Sequence, residues 1–368
     1  MNIVMMGHKT IPSRDGGIEV VVEELSRRMS LLGNNVTILN RKRKGNKLKE
    51  YKGCKIEEVF TINKKSLDAI VYSFFATLRI KRMIRKKQVD IVHVHAEGPC
   101  YFLWMFGKKH KNFKLVVTIH GLDWQRGKWG GFATKVLLKG ESRAVKYADE
   151  IIVLSKNLKY YFDKKYHRAT NYIPNGVEKP IFHDPEIIKN NWNLTKNSYV
   201  LFLARIVPEK GLHYLIEAWK RVKKEYQTDK KLVIAGGSSH SDEYYNKIVD
   251  MCKNDDSIIL TGFAEGQLLE ELYSNAYLYV LPSDIEGMPM SLLEAMSYGN
   301  VCLVSDIPEN TEIINEEDYT FPAGNIDRLR HQIKKILKLN IQTHENIKLP
   351  FNWDEVTNET LEVYKREL

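Results

Sequence analysis

Residues 199–237 read YVLFLARIVPEKGLHYLIEAWKRVKKEYQTDKKLVIAGG. The segment begins with the continuous apolar run YVLFLA, continues with the amphipathic stretch GLHYLIEAWKRVKKEY, and ends with a second apolar run, KLVIA. Short continuous apolar runs are typical of strands that are buried on both faces of a parallel sheet. The pattern therefore predicts a strand–helix–strand unit in which the helix connects two parallel strands.

The same alternation of strand-like and helical patterns runs through the whole chain. Further apolar runs are NIVMM, NVTILN, DIVHVH, KLVVTIH and EIIVLS in the first half, and SIILTGF, AYLYVLPS and VCLVSD in the second. Strands that alternate with helices predict doubly wound parallel sheets. We predict two Rossmann-like α/β domains, residues 1–178 and 179–351, with the first joined by a C-terminal helix over about residues 352–368.

Composition limits the class of protein. The chain has 368 residues, 43% of them hydrophobic, enough for about two ordinary domains. Its four cysteines form no C-x-x-C pair, which argues against zinc and redox motifs and favours a reduced compartment. No apolar run approaches the length of a bilayer span, and the opening MNIVMMGHK lacks the basic leader of a signal peptide. We therefore expect a cytoplasmic protein.

The charge is divided unevenly along the chain. Residues 1–180 contain 36 lysines and arginines against 16 aspartates and glutamates, whereas the remaining residues contain 20 and 30. The formal net charge of +10 is thus the sum of a basic half and an acidic half. A basic domain can bind nucleic acid or an anionic membrane surface, and it can also carry an ordinary solvated basic face.

Polar residues and glycines follow the strand-like runs of the second half. In open α/β sheets, ligands bind beyond the carboxyl ends of the strands. Fixed cations and helix N-termini suit a diphosphate, and carboxylates accept hydrogen bonds from sugar hydroxyls. The residues after these strands therefore predict a ligand that carries both a diphosphate and sugar hydroxyls. They are the cations Arg205 and Lys210, the residues Gly236, Gly237, Gly262 and Phe263, and the carboxylates Glu286 and Glu294.

The segment EGMPMSLLEAM, residues 286–296, places two glutamates on either side of a predicted helix start. Pro289 favours a helix that begins near residue 289 or 290, so Glu286 precedes the helix and Glu294 lies about one turn inside it. Backbone N–H groups of Gly287, Met288 and Met290 can point at an anion. The alternative is that Glu286 is an ordinary helix-start charge and Glu294 a solvated residue.

EGMPMSLLEAM, together with LARIVPEKGL upstream, resembles the E-x7-E signature and the Arg/Lys pair of family 4 retaining glycosyltransferases. GHKTIPSRDGGIEVVVEEL resembles the opening of the bacterial capsule and rhamnosyl-type transferases of that family, and TIHGLDWQRGKW, IPNGV and the closing WDEV helix also fit. The resemblance spans nearly the whole chain. It implies the GT-B fold, in which two doubly wound Rossmann-like domains face a central cleft.

The resemblance also implies catalytic roles by position. Arg205 and Lys210 would hold the donor diphosphate, and Glu286 would contact hydroxyls of the donor sugar. His120, after the run KLVVTI, matches the histidine near the reacting anomeric carbon. Without the family context, a histidine at a strand end is more often structural. A nucleophilic role for Glu286 is the less favoured alternative.

Further donor-binding residues follow from the same resemblance. Glu294 would take the ribose hydroxyls. The remaining positions are Gly16 and Gly17 facing the diphosphate, Gly236 and Gly237 shaping the cleft, Gly262 and Phe263 near the base, and Gly287, Met288 and Met290 near the sugar.

Residues of the expected acceptor side carry weaker signals. Trp124 could stack on a sugar face or cover the core, and Arg126 could meet an acceptor phosphate or be a solvated loop charge. Asp15 could contact an acceptor hydroxyl or shape a turn. His95 ends a strand and could line the acceptor side, and Asp123 belongs to the same loop as Trp124.

The implied reaction is a retaining transfer of a hexose from a nucleotide-diphosphate sugar, with a UDP-sugar favoured and dTDP-rhamnose open. We expect no cofactor and no essential metal, because Arg205, Lys210 and helix N–H groups can stabilise the departing diphosphate and the chain lacks a convincing D-x-D motif. In this fold the first domain usually takes the acceptor. A glycan or polyprenyl-diphosphate-linked intermediate of capsule or exopolysaccharide synthesis fits a basic first domain.

Membrane contact is expected through the segment LDAIVYSFFATLRIKRMIRKK, residues 67–87, which mixes apolar and basic residues along one predicted helix. Such a helix can lie against an anionic surface, so we expect peripheral attachment to the inner face of the cell membrane. The alternative is that its apolar face packs on the sheet while its basic end is solvated.

Other functions share part of these features. Sugar-nucleotide epimerases and phosphorylases share the architecture, but an epimerase would not explain the basic half and a phosphorylase would need a lysine-bound pyridoxal cofactor. A nucleic-acid-binding protein is suggested by charge alone and leaves the cations and carboxylates of the second half unexplained. We therefore expect no nucleic-acid partner.

Overall fold

The computed structural model describes residues 1–14, 16–45, 48–64, 67–108, 112–125, 131–238, 242–339 and 351–366. The chain divides into two compact units, an N-terminal unit of Met1–Gly176 with Phe351–Leu368 and a C-terminal unit of Val177–Pro350. The division follows Gly176, beside the sequence-based boundary near residue 178.

Strands and helices alternate in both units. The strands are β1 (Asn2–Met6), β2 (Asn35–Arg41), β3 (Glu50–Tyr51), β4 (Cys54–Val59), β5 (Ile91–His95), β6 (Lys114–Ile119), β7 (Glu150–Val153), β8 (Asn171–Tyr172), β9 (Tyr199–Leu203), β10 (Lys231–Ala235), β11 (Ile258–Gly262), β12 (Leu278–Leu281), β13 (Cys302–Ser305) and β14 (Thr320–Phe321). The helices are α1 (Gly17–Leu31), α2 (Asp68–Arg85), α3 (Gly131–Tyr147), α4 (Lys156–Tyr166), α5 (Ile187–Trp192), α6 (Leu212–Glu225), α7 (Asp242–Cys252), α8 (Gly266–Asn275), α9 (Met290–Ser297), α10 (Pro308–Thr311), α11 (Ile326–Leu339) and α12 (Trp353–Lys365).

The N-terminal unit has an eight-stranded sheet with the order β3-β4-β2-β1-β5-β6-β7-β8. Its strand pairs are parallel except β3–β4, which is antiparallel. The chain winds outward from β1 in one direction and then from β5 in the other. The order therefore reverses between β1 and β5, which is where open α/β sheets form a crevice at the carboxyl ends of the strands.

The C-terminal unit has a six-stranded parallel sheet with the order β11-β10-β9-β12-β13-β14. The chain winds from β9 to β11 on one side and from β12 to β14 on the other, so the order reverses between β9 and β12. Apolar clusters cover both faces of this sheet, which explains why its strands read as continuous apolar runs.

The C-terminal helix α12 packs on the N-terminal unit, as the sequence predicts. Arg28 Nε lies 2.7 Å from Asp354 Oδ1, and Lys114 Nζ donates to the carbonyl oxygen of Val363 over 2.9 Å. Deeper in the unit, the hydroxyl of Tyr364 lies 2.6 Å from Nδ1 of His93. The chain therefore returns to its first unit after completing the second.

Candidate active site

A nearly buried ion pair lies where the strand order of the C-terminal unit reverses. Lys210 ends a 3₁₀ turn (Pro208–Lys210) in the loop after β9, and Glu286 lies in the loop after β12. Lys210 Nζ lies 2.5 Å from Glu286 Oε1, and the two side chains are only 12% and 6% exposed. Because ligands of open α/β sheets bind at such switch points, the pair marks a candidate site.

Close backbone contacts hold these two loops together. The backbone N–H of Asp284 donates to the carbonyl oxygen of Glu209 over 2.9 Å. Gly211 has a φ of +65°, and a Cβ at this position would lie 1.9 Å from the carbonyl oxygen of Pro282. Glycine permits both this left-handed backbone and this close approach. Gly211 therefore fixes the distance between the loop of Lys210 and the loop of Glu286.

A chain of polar contacts orients Glu286. Ser283 Oγ donates to Glu286 Oε1 over 2.7 Å. Ser305, the last residue of β13, donates through its hydroxyl to the carbonyl oxygen of Ser283 over 2.5 Å, and Asn310 Nδ2 donates to the carbonyl oxygen of Ser305 over 3.1 Å. In this arrangement Glu286 neutralises Lys210, so an anionic ligand at this position would compete with Glu286 for the ammonium group.

Glu294 lies one turn inside α9, where the sequence predicts it. The hydroxyl of Tyr273 donates to Glu294 Oε2 over 3.1 Å, and the hydroxyl of Tyr279 donates to Ser291 Oγ over 2.8 Å. Burial, followed by the charge of Glu294, raises the pKa of Tyr273 well above its usual value, so its hydroxyl remains a neutral donor. Buried tyrosines thus hold the first turns of α9 and its carboxylate in place.

Glycines bring three strand ends close together on the other side of β9. Gly236 has a φ of +154°, its N–H donates to the carbonyl oxygen of Gly262 over 2.8 Å, and a Cβ there would lie 1.9 Å from the carbonyl oxygen of Ala204. A Cβ on Gly237 would lie 3.8 Å from Cβ of Phe263, whose side chain is 51% exposed. Gly236, Gly237, Gly262 and Phe263 thus lie next to one another at the ends of β10 and β11, beside the end of β9, and we call this set the shelf.

The remaining predicted donor residues lie at the same edge of the C-terminal sheet. Arg205 is half-buried in the loop after β9. Gly287 is buried and Met288 half-buried in the loop after β12, and Met290 is the first residue of α9. The first N–H groups of an α-helix have no acceptor within the helix. The start of α9 can therefore offer donors to an anion.

Three histidines, His93 and His95 on β5 and His120 directly after β6, contact one another in succession. His93 Nε2 lies 2.7 Å from Thr118 Oγ1, the rings of His93 and His95 are 4.0 Å apart, and His95 Nδ1 lies 3.1 Å from His120 Nε2. Burial lowers the pKa of His93 to about 3 and that of His95 well below its usual value. The two inner rings are therefore neutral.

His95 was expected to line the acceptor side, but its exposed fraction is 0%. The ring of His120, which His95 contacts, is half-buried. One nitrogen of the His95–His120 contact donates and the other accepts, so the tautomer of one ring determines that of the other. The structure therefore makes His95 a partner of His120.

Gly16 and Gly17 lie at the start of the first long helix, as the sequence predicts. Gly17 is the first residue of α1, and Gly16 is its N-cap. The buried carboxylate of Glu19 lies at this helix start, where its Oε1 accepts the backbone N–H of Lys9 over 2.9 Å. Asp15, named above for the acceptor side, lies outside the described residues.

Two carboxyl groups anchor the 3₁₀ turn Asp123–Gln125. The backbone N–H of Asp123 donates to Glu97 Oε2 over 3.1 Å, and Trp124 Nε1 donates to Glu141 Oε2 over 2.9 Å. Burial, and then the charges of Asp123 and Glu141, raise the pKa of Glu97 well above its usual value. Trp124 is thus half-buried and hydrogen-bonded at its ring nitrogen. Arg126, also named for the acceptor side, falls outside the described part of the chain.

Sequence reasoning missed the side chains that orient the two glutamates. Ser283 is the last residue of the run AYLYVLPS and stands three residues before Glu286, which is a signal that could have identified it. Tyr273 lies on α8 and Tyr279 on β12, and both resemble ordinary core aromatics in the sequence. Their roles depend on how these elements pack against α9.

Comparison with known proteins places both units in glycosyltransferase families. Residues 15–179 match the family described as Glycosyltransferase Family 4, and residues 184–349 match Glycosyl transferases group 1. An uncharacterised glycosyltransferase of Methanocaldococcus jannaschii is 22% identical, covering 99% of this chain and 98% of the relative. The UDP-Gal:alpha-D-GlcNAc-diphosphoundecaprenol alpha-1,3-galactosyltransferase of Escherichia coli is 27% identical, covering 68% of this chain and 66% of the relative.

Solved structures share the fold over the whole chain. Sucrose-phosphate synthase from Thermosynechococcus elongatus has a TM-score of 0.82 at 20% identity, covering 99% of this chain and 98% of that one. Anabaena HepE in complex with UDP and glucose has a TM-score of 0.77 at 14% identity, covering 99% of each chain. Two parallel-sheet α/β domains of this kind are the architecture of the GT-B fold. The chain belongs to family 4 of the glycosyltransferases.

Proposed function

We propose that this glycosyltransferase moves a hexose from a nucleotide-diphosphate sugar to a glycan or polyprenyl-diphosphate-linked acceptor of capsule or exopolysaccharide synthesis. A UDP-sugar is the favoured donor and dTDP-rhamnose the alternative. The observation that carries the proposal is the ion pair of Lys210 and Glu286 at the switch point of the C-terminal unit. The name of the Escherichia coli relative, which includes UDP-Gal and diphosphoundecaprenol, supports the classes of donor and acceptor.

The proposed chemistry is a retaining transfer. The bond between the anomeric carbon and the diphosphate breaks, and its electron pair leaves with the diphosphate. Arg205, Lys210 and the N–H groups at the start of α9 stabilise that charge. The acceptor hydroxyl attacks from the same face, and the departing phosphate oxygen takes its proton. This route needs neither a protein nucleophile nor a divalent metal.

Binding of the donor changes the partner of Lys210 in this proposal. The diphosphate replaces Glu286 beside the ammonium group, and the released carboxylate accepts hydrogen bonds from the donor sugar. Glu294, held by Tyr273, takes the ribose hydroxyls, while the shelf with Phe263 lies near the base. His120 binds a sugar hydroxyl or stabilises positive charge near the anomeric carbon.

The proposed acceptor places the enzyme at the inner face of the cell membrane. A polyprenyl-linked intermediate stays in the bilayer, so the enzyme must work at its surface. The excess of basic residues in the first 180 positions supports peripheral attachment to anionic lipid.

The proposal is tested by thermal unfolding of the purified chain in EDTA with UDP, GDP, ADP, dTDP and their sugar conjugates. A ligand at 100 times its dissociation constant stabilises the folded state by about 2.7 kcal/mol. We expect one diphosphate to raise the melting temperature of the wild type and to have a much smaller effect on Lys210→Ala. Lys224→Ala, an exposed lysine on α6, is the matched control.

The reaction itself is tested with the donor identified in this way. Nuclear magnetic resonance of the product gives the anomeric configuration, which retention predicts to match that of the donor. The absence of stabilisation by every nucleotide, with or without magnesium, would overturn the proposed donor site. Stabilisation that requires magnesium would overturn the metal-independent mechanism alone.

A further inference from the structure

Five aromatic side chains form a patch on the surface of the N-terminal unit. We call this set the aromatic patch: Phe60, Phe74, Phe75, Phe102 and Trp104. Ring centroids are 5.2 Å apart for Phe60 and Phe75, 5.4 Å for Phe74 and Phe75, and 5.5 Å for Phe74 and Phe102. Phe60 is 53% exposed, Phe75 39% and Trp104 50%. Contiguous exposed apolar surface of this kind marks an interaction site more often than isolated residues do.

The patch is not part of the core. Helix α2 packs on the sheet through Tyr72, Ala76, Ile80 and Met83, which belong to the apolar cluster of the unit. Phe74 and Phe75 point away from these residues and are more than a third exposed. One alternative from the sequence was that all apolar residues of this helix pack on the sheet. In the structure, apolar side chains lie on the sheet-facing side of α2 and also on its exposed side.

The helix cannot serve as a membrane span. Within the described residues, none of the helices is long and apolar enough to cross a bilayer. The exposed face of α2 begins with apolar residues and ends with the basic Arg82 and Arg85. Apolar and basic residues on one exposed face are typical of helices that lie in the interface of a membrane.

Basic residues lie on the segments that carry the aromatic patch or pack against it. Helix α3 packs on the 3₁₀ segment Pro99–Phe106. The guanidinium of Arg143 on α3 lies 4.2 Å from the ring centre of Tyr101 and 6.0 Å from that of Trp104, and the ring of Tyr101 lies 5.1 Å from that of Phe102. Arg143 therefore connects Trp104 to the phenylalanines of the patch. The exposed lysines of these segments are Lys64, Lys108, Lys135 and Lys139.

Carboxylates offset only part of this positive charge. In the described parts of residues 60–85, 99–108 and 131–147, the acidic residues are Asp68 and Glu141. Asp68 is paired with Arg41 and Arg43, and Glu141 is 0% exposed. On β4, Glu57 is paired with Arg79 of α2 and Glu58 is exposed. The surface is therefore apolar, with a positive charge that is only partly compensated.

The aromatic patch lies at the same edge of the N-terminal sheet as His120. Phe60 follows β4 directly, the 3₁₀ segment follows β5, and His120 follows β6. The carboxyl ends of parallel strands lie at one edge of their sheet. A ligand held by the patch would therefore be presented at the edge that carries the proposed catalytic histidine.

We propose that the aromatic patch and its basic rim dock the enzyme on an anionic lipid bilayer. This inference rests on the proposed function, because a polyprenyl-linked acceptor is reached at that surface. The exposed aromatic side chains would insert into the bilayer surface and provide the apolar contact, and the lysines would face lipid phosphates. A second copy of the chain is a poor occupant, since a two-fold contact would oppose one basic rim to another.

The test is flotation of the full chain with vesicles of phosphatidylcholine alone or with phosphatidylglycerol added. We expect binding to the anionic vesicles that weakens with salt. The double variant Phe74→Ser/Phe75→Ser and the charge variant Lys135→Glu/Lys139→Glu should each lower the bound fraction at least about tenfold. Tyr160→Ser, which removes a 62% exposed aromatic on α4 outside the patch, is the matched control.

Nucleotide-induced thermal stabilisation, measured on the same samples, separates the two proposals. Patch variants that retain this stabilisation but lose vesicle binding support the inference. Wild-type protein that is stabilised by nucleotide but does not float with vesicles overturns the docking surface and leaves the donor site standing. Three other results would also overturn the docking surface. The patch variants could bind vesicles as strongly as the wild type, or the wild type could bind neutral and anionic vesicles equally. Sedimentation could also show a dimer that dissociates in the variant Phe74→Ser/Phe75→Ser.

Discussion

The ammonium group of Lys210 and the carboxylate of Glu286 form one nearly buried pair across the switch point of the C-terminal unit, 2.5 Å apart. Removal of one member of a buried pair costs about 3–5 kcal/mol, because the other charge remains without compensation. A diphosphate that replaces Glu286 keeps the charge of Lys210 matched. The ground-state pair therefore preorganises the cation for the proposed donor.

We expect Lys210→Met and Glu286→Gln to be strongly coupled. Each single change should lower the free energy of unfolding, whereas the double variant should lose less than the sum, with a coupling of about 1–3 kcal/mol. Lys210→Met should also lower kcat about 10²–10³-fold, since it removes a charge that faces the leaving group. Chemical denaturation and initial rates measure the two effects.

The exposed pair Arg221–Glu217 on α6 is the control, with side chains 40% and 47% exposed. The same cycle there should give a coupling below about 0.5 kcal/mol. Additive losses at Lys210 and Glu286 would contradict the structural pair, and unchanged kcat in Lys210→Met would contradict its role in transfer.

Tyr273→Phe should weaken nucleotide binding with little effect on kcat. The change removes the hydroxyl that donates to Glu294 Oε2 over 3.1 Å, and a hydrogen bond to a charged group contributes about 1.5–3 kcal/mol. We expect roughly a tenfold rise in the dissociation constant of the nucleotide, measured by calorimetry. Tyr277→Phe, which removes a hydroxyl bonded to the carbonyl oxygen of Ile336 in the same unit, should bind nucleotide normally. Equal effects of the two variants would assign Tyr273 to stability alone.

His95→Leu should lower kcat about tenfold while donor affinity stays near that of the wild type. The reason is that His95 touches only His120 among the proposed catalytic residues, with 3.1 Å between their ring nitrogens. His120→Ala should have the larger effect, about 10²–10⁴-fold on kcat. His331→Gln, an exposed histidine on α11, is the control. A fall in donor affinity equal to the fall in kcat would argue that His95 acts through general stability.

Because of Glu97, we expect the free energy of unfolding to fall as the pH rises above about 4.5, the usual pKa of a glutamate. Burial raises its pKa well above that usual value, so the folded chain keeps a proton that the unfolded chain releases. Between the pKa of Glu97 in the unfolded chain and its higher pKa in the folded chain, the free energy of unfolding falls by about 1.4 kcal/mol per pH unit. The pKa of Glu141 is lowered, because hydrogen bonds from Lys165, Tyr166 and other donors outweigh its burial. The contribution of Glu141 to stability is therefore lost only when the pH falls below the usual pKa of a glutamate.

Glu97→Gln should remove this pH dependence while its carbonyl oxygen still accepts the N–H of Asp123. Unfolding free energies of the variant should change less between about pH 5 and 8 than those of the wild type. Glu58→Gln, an exposed glutamate on β4, should follow the wild-type curve. Parallel curves for Glu97→Gln and the wild type would show that Glu97 is ionised in the folded chain.

The strands that the sequence missed are short or lie at sheet edges. β3, β8 and β14 contain two residues each, which is too short to show a recognisable hydrophobic pattern in the sequence. β4 alternates buried and exposed residues and pairs with β3 in a hairpin at the edge. The long apolar runs, by contrast, are confirmed as strands. Most of them are inner strands with both faces buried, where nearly every residue must be apolar, whereas β11 at the sheet edge is only half-buried after Ile258.

The sequence by itself determined the alternation of strands and helices, the two doubly wound domains, and the residues that follow each strand. These are local properties, since apolar periodicity and glycine or proline positions act over a few neighbours. Only the tertiary structure decided that Lys210 pairs with Glu286, that Tyr273 holds Glu294, that His95 lies behind His120, and that Phe74 and Phe75 face outward. These relationships join positions far apart in the chain or select one face of a helix, and packing between elements fixes them.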